Sequence, residues 1–99
     1  MSILELVKAK VGQFDQNADV ILFGSRAKGT ARKESDWDFL ILMSQPVDYE
    51  MEDQIRDELY EIELEKEEII SSIVESSEDW EKYVITALYK NIDREGIIV

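Results

Sequence analysis

Two aspartates, Asp36 and Asp38, lie on either side of Trp37 and directly before an apolar run, Phe39 to Met43. Successive side chains of a strand point to opposite faces, so the two carboxylates are expected to share a face while Trp37 points away. Neighbouring carboxylates repel one another, and a cation usually keeps such a pair ionised. Because the chain has no histidine or cysteine, the pair predicts an all-oxygen site for Mg²⁺ or Mn²⁺.

A glycine and a serine, Gly24 and Ser25, directly follow another apolar run, Val20 to Phe23. Apolar runs of this length, bounded by turn signals, are typical of buried strands, so Gly24 is expected where a strand passes into a helix. Free backbone N–H groups and the helix dipole at such a junction favour anions. Gly24 lets the backbone approach a phosphate closely, and Ser25 adds a hydroxyl donor. A phosphate site facing a carboxylate-bound metal indicates handling of a nucleoside triphosphate.

Each motif also has a simpler interpretation. Asp-x-Asp at the start of a strand is commonly a solvated edge and Gly-Ser is commonly a turn, and each motif taken separately favours that interpretation. The two motifs together, with Arg26, Lys28, Arg32 and Lys33 between them, favour a phosphate and metal site. Trp37 is interpreted as a packing residue, because a large aromatic side chain inside a motif is more often core than ligand contact.

The spacing of the two motifs resembles a known signature. Gly24-Ser25, ten intervening residues and Asp36-x-Asp38 are similar to the motif of the DNA polymerase beta-like nucleotidyltransferases, and more narrowly to that of the minimal nucleotidyltransferase (MNT) proteins of bacteria and archaea. The run GSRAKGTARKESDWD carries most of the likeness. The tail from Ala87 to Gly96 also resembles the usual end of such proteins, so the resemblance covers nearly the whole chain.

The resemblance implies an enzyme. It implies transfer of a nucleoside monophosphate, with AMP from ATP the preferred case, to a hydroxyl while pyrophosphate leaves. MNT proteins are often encoded beside a HEPN-domain protein, and some act as antitoxins that adenylylate that toxin, so a hydroxyl on such a partner is the preferred acceptor. The implied metal and catalytic residues are Asp36 and Asp38, and the implied nucleotide-binding residues are Gly24, Ser25, Arg26 and Lys28.

The chain departs from the family pattern at the third strand. Fully active members usually carry a third acid there, whereas this strand offers Ser71 and Ser72 in its interior. The nearest acids, Glu67 and Glu68, precede the strand and reach the site only if the strand begins later than predicted. We therefore expect the third acid to be absent, which leaves a second hypothesis open: a nucleotidyltransferase-fold binding module that neutralises its partner by contact.

Composition limits the classes of function. The 99 residues are expected to form one domain, residues 1–99. A net charge of −12, with the acids concentrated from Asp48 to Glu81, disfavours free nucleic acid and allows a nucleotide together with a basic protein partner. The absence of cysteine agrees with a cytoplasmic location, and we expect no signal peptide and no membrane span. The oligomeric state stays open.

Periodicity and capping signals predict an α+β architecture, a small mixed β-sheet with helices packed on it. Ser2-x-x-Glu5 is a capping box for the first helix, and Asp48 is a plausible N-cap for a long one. The predicted helices are Met1 to Asp15, about two turns after Gly24, Asp48 to about Lys66, a short one carrying Trp80 and Tyr83, and Thr86 to Glu95 before Gly96. The predicted strands are Val20 to Phe23, Phe39 to Met43 and Ile69 to Val74.

Overall fold

A computed structural model describes all residues, 1–99, and contains five α-helices, one 3-10 turn and four strands. The helices are α1 (Ile3–Phe14), α2 (Gly24–Lys28), α3 (Tyr49–Lys66), α4 (Ser77–Trp80), which continues into a 3-10 turn (Glu81–Tyr83), and α5 (Ala87–Glu95). The strands are β1 (Asp19–Phe23), β2 (Trp37–Met43), β3 (Ile70–Ser76) and β4 (Ile97–Ile98). None of the helices is both long enough and apolar enough to cross a membrane.

The four strands form one mixed sheet in the order β3-β2-β1-β4. Strand β1 pairs antiparallel with β2 and with β4, whereas β2 and β3 run parallel. The register sets Asp38 opposite Phe23 on one side and Ser71 on the other. The C-terminal end of β1 and the N-terminal ends of β2 and β3 therefore lie next to one another at one end of the sheet. The predicted α+β architecture is confirmed.

Helices α1 and α3 cover one face of the sheet. The Ser2–Glu5 capping box begins α1, and the Asp48 side chain accepts a hydrogen bond of 2.8 Å from Met51 N at the start of α3, both as predicted. Alternate residues of β2 point into this layer because side chains of a strand alternate between faces. The buried side chains of this core are Ile3, Val7, Val11, Val20, Leu22, Phe39, Ile41, Met43, Ile55, Leu59, Ile62 and Val74.

Helices α4 and α5 cover the opposite face. Their core is smaller and centres on Leu40, Trp80 and Ile92. The indole of Trp80 stacks on the ring of Tyr89, with 5.3 Å between ring centroids, and lies 5.6 Å from the ring of Tyr83. These aromatic contacts fix α4 against α5, and Asp38 lies on this same face because it alternates with the residues of the first core.

Most element boundaries differ from the sequence prediction by one or two residues, and α2, β3 and β4 differ in ways that bear on the site. Helix α2 ends after five residues instead of about two turns, because Gly29 adopts a left-handed conformation (φ 77°) that stops the helix. Strand β3 extends from Ile70 to Ser76, one residue later at its start and two later at its end than predicted. Strand β4 was not predicted, since two residues carry no detectable alternation.

Gly96 ends α5 as predicted, but for a different physical reason from that of a left-handed cap. Its φ is −68°, a backbone conformation that any residue can adopt. A Cβ atom at this position would lie 2.5 Å from Ile92 O and 2.7 Å from Ile21 Cγ2. Glycine is therefore required because α5 turns into β4 tightly against β1.

Candidate active site

The Gly24-Ser25 motif and the Asp36-x-Asp38 motif lie together at the end of the sheet where β1 ends and β2 and β3 begin. Gly24 begins α2 directly after β1, with a positive φ of 72°. A Cβ atom built on Gly24 would collide with the carboxylate of Asp38, which packs against the glycine backbone. Glycine is thus required both for its conformation and for the space that Asp38 occupies. The sequence had suggested phosphate approach as the reason for this glycine, and the contact with Asp38 is a second one.

Asp36 and Asp38 lie next to each other, with Trp37 on the opposite face. Trp37 is half-buried and packs against the core under α1 and α3, in agreement with its interpretation as a packing residue. Desolvation of the half-buried carboxyl, together with the negative charge of Asp36, raises the pKa of Asp38 above its ordinary value. A carboxyl that is partly desolvated and lies beside a second negative charge favours a cation at this position.

Ser71 occupies the place expected for the third acid. It pairs with Asp38 across the parallel β2–β3 ladder, and its Oγ donates a hydrogen bond of 3.2 Å to Oδ2 of Asp36. Ser72 points to the other face, where Nη1 of Arg56 donates to its Oγ at 3.0 Å. Of the two serines considered from the sequence, Ser71 is the one at the site.

The acids before β3 do not join the aspartates. Glu67 is the C-cap residue of α3 in a left-handed conformation (φ 52°), and Oε2 of Glu68 lies 3.7 Å from Nη2 of Arg26. No group of three or more histidine, cysteine or acidic side chains could hold a metal ion in this structure. Two carboxylates and a serine hydroxyl are still oxygen ligands of the type that Mg²⁺ binds, and water and phosphate oxygens commonly complete its shell.

Arg26 holds the segment that leads into the aspartates. Its Nη2 donates to the carbonyl oxygens of Ser35 at 2.9 Å and Lys33 at 3.2 Å, and its guanidinium lies 4.4 Å from the ring centroid of Trp37. Only 17% of the Arg26 side chain is exposed. Arg26 therefore fixes the approach to Asp36 by bonds that span seven and nine residues, a positioning role that the sequence analysis did not identify.

Lys28 and Ser25 lie on α2, the helix that begins at Gly24. Nζ of Lys28 lies 3.3 Å from Oε2 of Glu95, and half of the Lys28 side chain is exposed, so it is free to turn to another anion. No side chain caps the start of α2, which leaves the first-turn N–H groups of Gly24 and Ser25 without a side-chain acceptor. An open cleft of about 200 Å³ begins here, lined by Phe23, Gly24, Lys28, Leu88, Asn91, Ile92 and Glu95.

Comparisons with known proteins agree with this geometry. The family model described as the nucleotidyltransferase domain matches residues 1–97. The chain is 31% identical over 81 residues to the probable protein adenylyltransferase MntA of Haemophilus influenzae, covering 82% of this chain and 71% of the relative. It is 34% identical over 80 residues to a putative protein adenylyltransferase of Methanocaldococcus jannaschii, covering 81% of this chain and 75% of the relative.

A solved structure shares the fold. The crystal structure of a toxin-antitoxin with AMP-PNP superposes with a TM-score of 0.63 at 16% identity, over 93% of this chain and 68% of that one. At this identity the likeness shows the fold alone. The family match over residues 1–97 and the two relatives establish the rest: this chain belongs to the nucleotidyltransferase domain family and, within it, to the minimal nucleotidyltransferases.

Proposed function

We propose that this chain transfers AMP from ATP to a hydroxyl group on a partner protein, with Mg²⁺ or Mn²⁺ as the cofactor. The observation that carries the proposal is the contact of Gly24 with the Asp38 carboxylate, which sets the predicted phosphate motif against the predicted metal pair. The names of the two relatives, both protein adenylyltransferases, support AMP and a protein acceptor.

In this proposal Asp36 and Asp38 hold the cation, which when bound supplies positive charge to the triphosphate and to the attacking oxygen. The acceptor hydroxyl loses its proton to water as its oxygen forms a bond to the α-phosphorus, the bond from that phosphorus to the bridging oxygen breaks, and pyrophosphate leaves. Gly24 and Ser25 bind the terminal phosphates through the first-turn N–H groups and the Ser25 hydroxyl. Lys28 neutralises phosphate charge, whereas Arg26 contributes mainly by holding the segment before Asp36.

We infer that the acceptor belongs to a HEPN-type partner and that the chain acts as its antitoxin in the cytoplasm. The family resemblance supports the partner, and the toxin-antitoxin structure of similar fold agrees with it. The net charge of −12 disfavours free nucleic acid as the acceptor, because phosphates of a polynucleotide are repelled by an acidic surface.

A second function, a binding module that neutralises its partner by contact, is favoured by one observation. Ser71 stands where the family resemblance leads us to expect an acid, so the site holds two carboxylates instead of three. Two carboxylates still bind a metal–nucleotide complex, but they hold a second metal and activate an acceptor poorly.

Titration calorimetry with Mg-ATP distinguishes the two functions at their first step. The transferase predicts Mg-dependent ATP binding that the Asp36→Asn/Asp38→Asn variant lacks. A wild-type chain that binds its partner tightly in the presence and absence of ATP, and binds no Mg-ATP, would favour the binding module.

A further inference from the structure

Four exposed apolar side chains follow one another from the end of the 3-10 turn to the first turn of α5. Ile85 is 83% exposed, and Tyr83, Val84 and Leu88 are each 43–47% exposed. We call these four side chains the apolar rim. Single exposed apolar side chains are ordinary on protein surfaces, whereas a cluster of them with a polar surround marks an interaction surface.

The backbone under the apolar rim is held in place. Thr86 donates to the Tyr83 carbonyl oxygen from its backbone N at 2.9 Å and from Oγ1 at 2.7 Å. The same Thr86 Oγ1 accepts from Tyr89 N at 3.1 Å and caps α5. The Tyr83 ring also contacts Trp80 of the core. A surface that is ordered before binding loses less conformational entropy on binding, which favours a docking role.

The apolar rim reaches the candidate active site. Leu88, at its α5 end, lines the cleft that also borders Gly24 and Lys28. An occupant of the rim that extends past Leu88 therefore reaches the cleft at Gly24, and Gly24 packs against the Asp38 carboxylate. This placement suits the acceptor protein.

The negative charge around the apolar rim determines which kind of protein surface can bind there. Residues 75–95 contain six acids and three bases, and two of those bases are already paired, Lys82 with Asp79 at 2.8 Å and Arg94 with Glu95 at 3.2 Å. A second copy of a chain with net charge −12 is repelled from this surface. A partner segment rich in lysine or arginine is attracted to it.

We propose that the apolar rim docks the acceptor protein through a segment of apolar side chains flanked by lysine or arginine. That the docked protein is the acceptor of AMP rests on the proposed function, whereas the docking itself does not. The probes are three synthetic peptides of equal length: one apolar and basic, one with its apolar side chains replaced by serine, and one with its bases replaced by glutamate. Fluorescence anisotropy at physiological salt measures their binding to the full chain.

The apolar basic peptide is expected to bind at least tenfold more tightly than the other two. Ile85→Asp is expected to weaken that binding at least tenfold, because it removes the most exposed apolar side chain of the rim and replaces it with a strongly hydrated group. Leu64→Asp on α3 adds the same charge at a position that is 58% exposed and remote from the rim, and it should leave the affinity unchanged. Circular dichroism checks that both variants are folded.

Two results would overturn the docking proposal. Equal binding of the two basic peptides, or no effect of Ile85→Asp, would show attraction by charge alone. Sedimentation as a dimer that Ile85→Asp converts to a monomer would show that a second copy covers the rim. The Asp36→Asn/Asp38→Asn variant should keep its peptide affinity, so a chain that binds the peptide yet never transfers AMP overturns the proposed function and leaves the docking surface standing.

Discussion

Oγ of Ser71 donates a hydrogen bond of 3.2 Å to Oδ2 of Asp36, at the position where active relatives of this chain are expected to carry a carboxylate. We expect Ser71→Asp to complete a three-carboxylate site and to raise AMP transfer by the isolated chain at least tenfold, because a third carboxylate helps to hold a second metal and to activate the acceptor. The measurement is the rate of labelled AMP transfer to a small hydroxyl acceptor.

Ser72→Asp is the matched control for that change. It adds the same charge one residue away, but on the opposite face, beside Arg56. It should leave the transfer rate unchanged. Equal rates for Ser71→Asp and the wild-type chain would show that the missing acid does not limit activity.

Replacement of Gly24 by alanine should displace the carboxylate of Asp38. We expect Mg-ATP affinity to fall more than tenfold, or at least about 1.4 kcal/mol, and the melting temperature to fall as well, since φ at this position is 72°. Gly12→Ala in α1 has open space around its Cβ and should raise stability by about 0.5–1 kcal/mol. Unchanged Mg-ATP affinity in Gly24→Ala, measured by calorimetry, would contradict the arrangement of the site.

The contribution of Asp38 to the stability of the metal-free protein should fall as the pH rises past the ordinary carboxyl pKa. Burial and Asp36 raise the pKa of Asp38 in the folded state above its usual value of 3.8, so between these two pKa values the folded state binds more protons than the unfolded state. The contribution of Asp38 to stability is therefore present at low pH and is lost as the pH rises through its folded pKa. Thermal melts of wild type and Asp38→Asn in EDTA should diverge across that window, with the variant more stable above it.

Saturating Mg²⁺ offers the internal check on this pH dependence. A bound cation favours the ionised form of Asp38, so it should remove the advantage of Asp38→Asn at neutral pH. A variant that melts at the same temperature as wild type at every pH without metal would contradict the predicted repulsion between Asp36 and Asp38.

Arg26 and Lys28 should have separable effects, although the sequence places both in the nucleotide motif. Arg26→Ala removes two hydrogen bonds to the segment before Asp36 and the contact with Trp37, so it should cost about 1–3 kcal/mol of unfolding free energy. Lys28→Ala removes a half-exposed side chain and should weaken Mg-ATP binding with little change in the melting temperature. A melting temperature that is lower in Lys28→Ala than in Arg26→Ala would contradict this division of roles.

Local patterns predicted the parts of this fold that depend on local chemistry. The apolar run Phe39 to Met43 lies in β2, and the cap at Asp48 begins α3, because each depends on residues within a few positions. Gly29, which ends α2, is also visible in the sequence, but the prediction of about two helical turns extends past it.

Features that depend on distant contacts were not predictable in the same way. The choice between Ser71 and Ser72 required the register of two parallel strands, and the start of β3 differs from the prediction by one residue. The bonds from Arg26 to Ser35 and Lys33 exist only because the segment between them folds back. Strand β4 is formed by pairing with β1, since its two residues carry no signal of their own.

The central claim is that the chain transfers AMP from ATP to a partner protein, and labelled ATP tests it most directly. The chain is incubated with Mg²⁺, ATP and a candidate HEPN-type partner protein, and the partner is then resolved on a gel. We predict label on the partner from ATP labelled at the α-phosphate and none from ATP labelled at the γ-phosphate. The label should vanish with EDTA and with Asp36→Asn/Asp38→Asn. An unlabelled partner under all these conditions, or label from the γ-phosphate, would contradict the account.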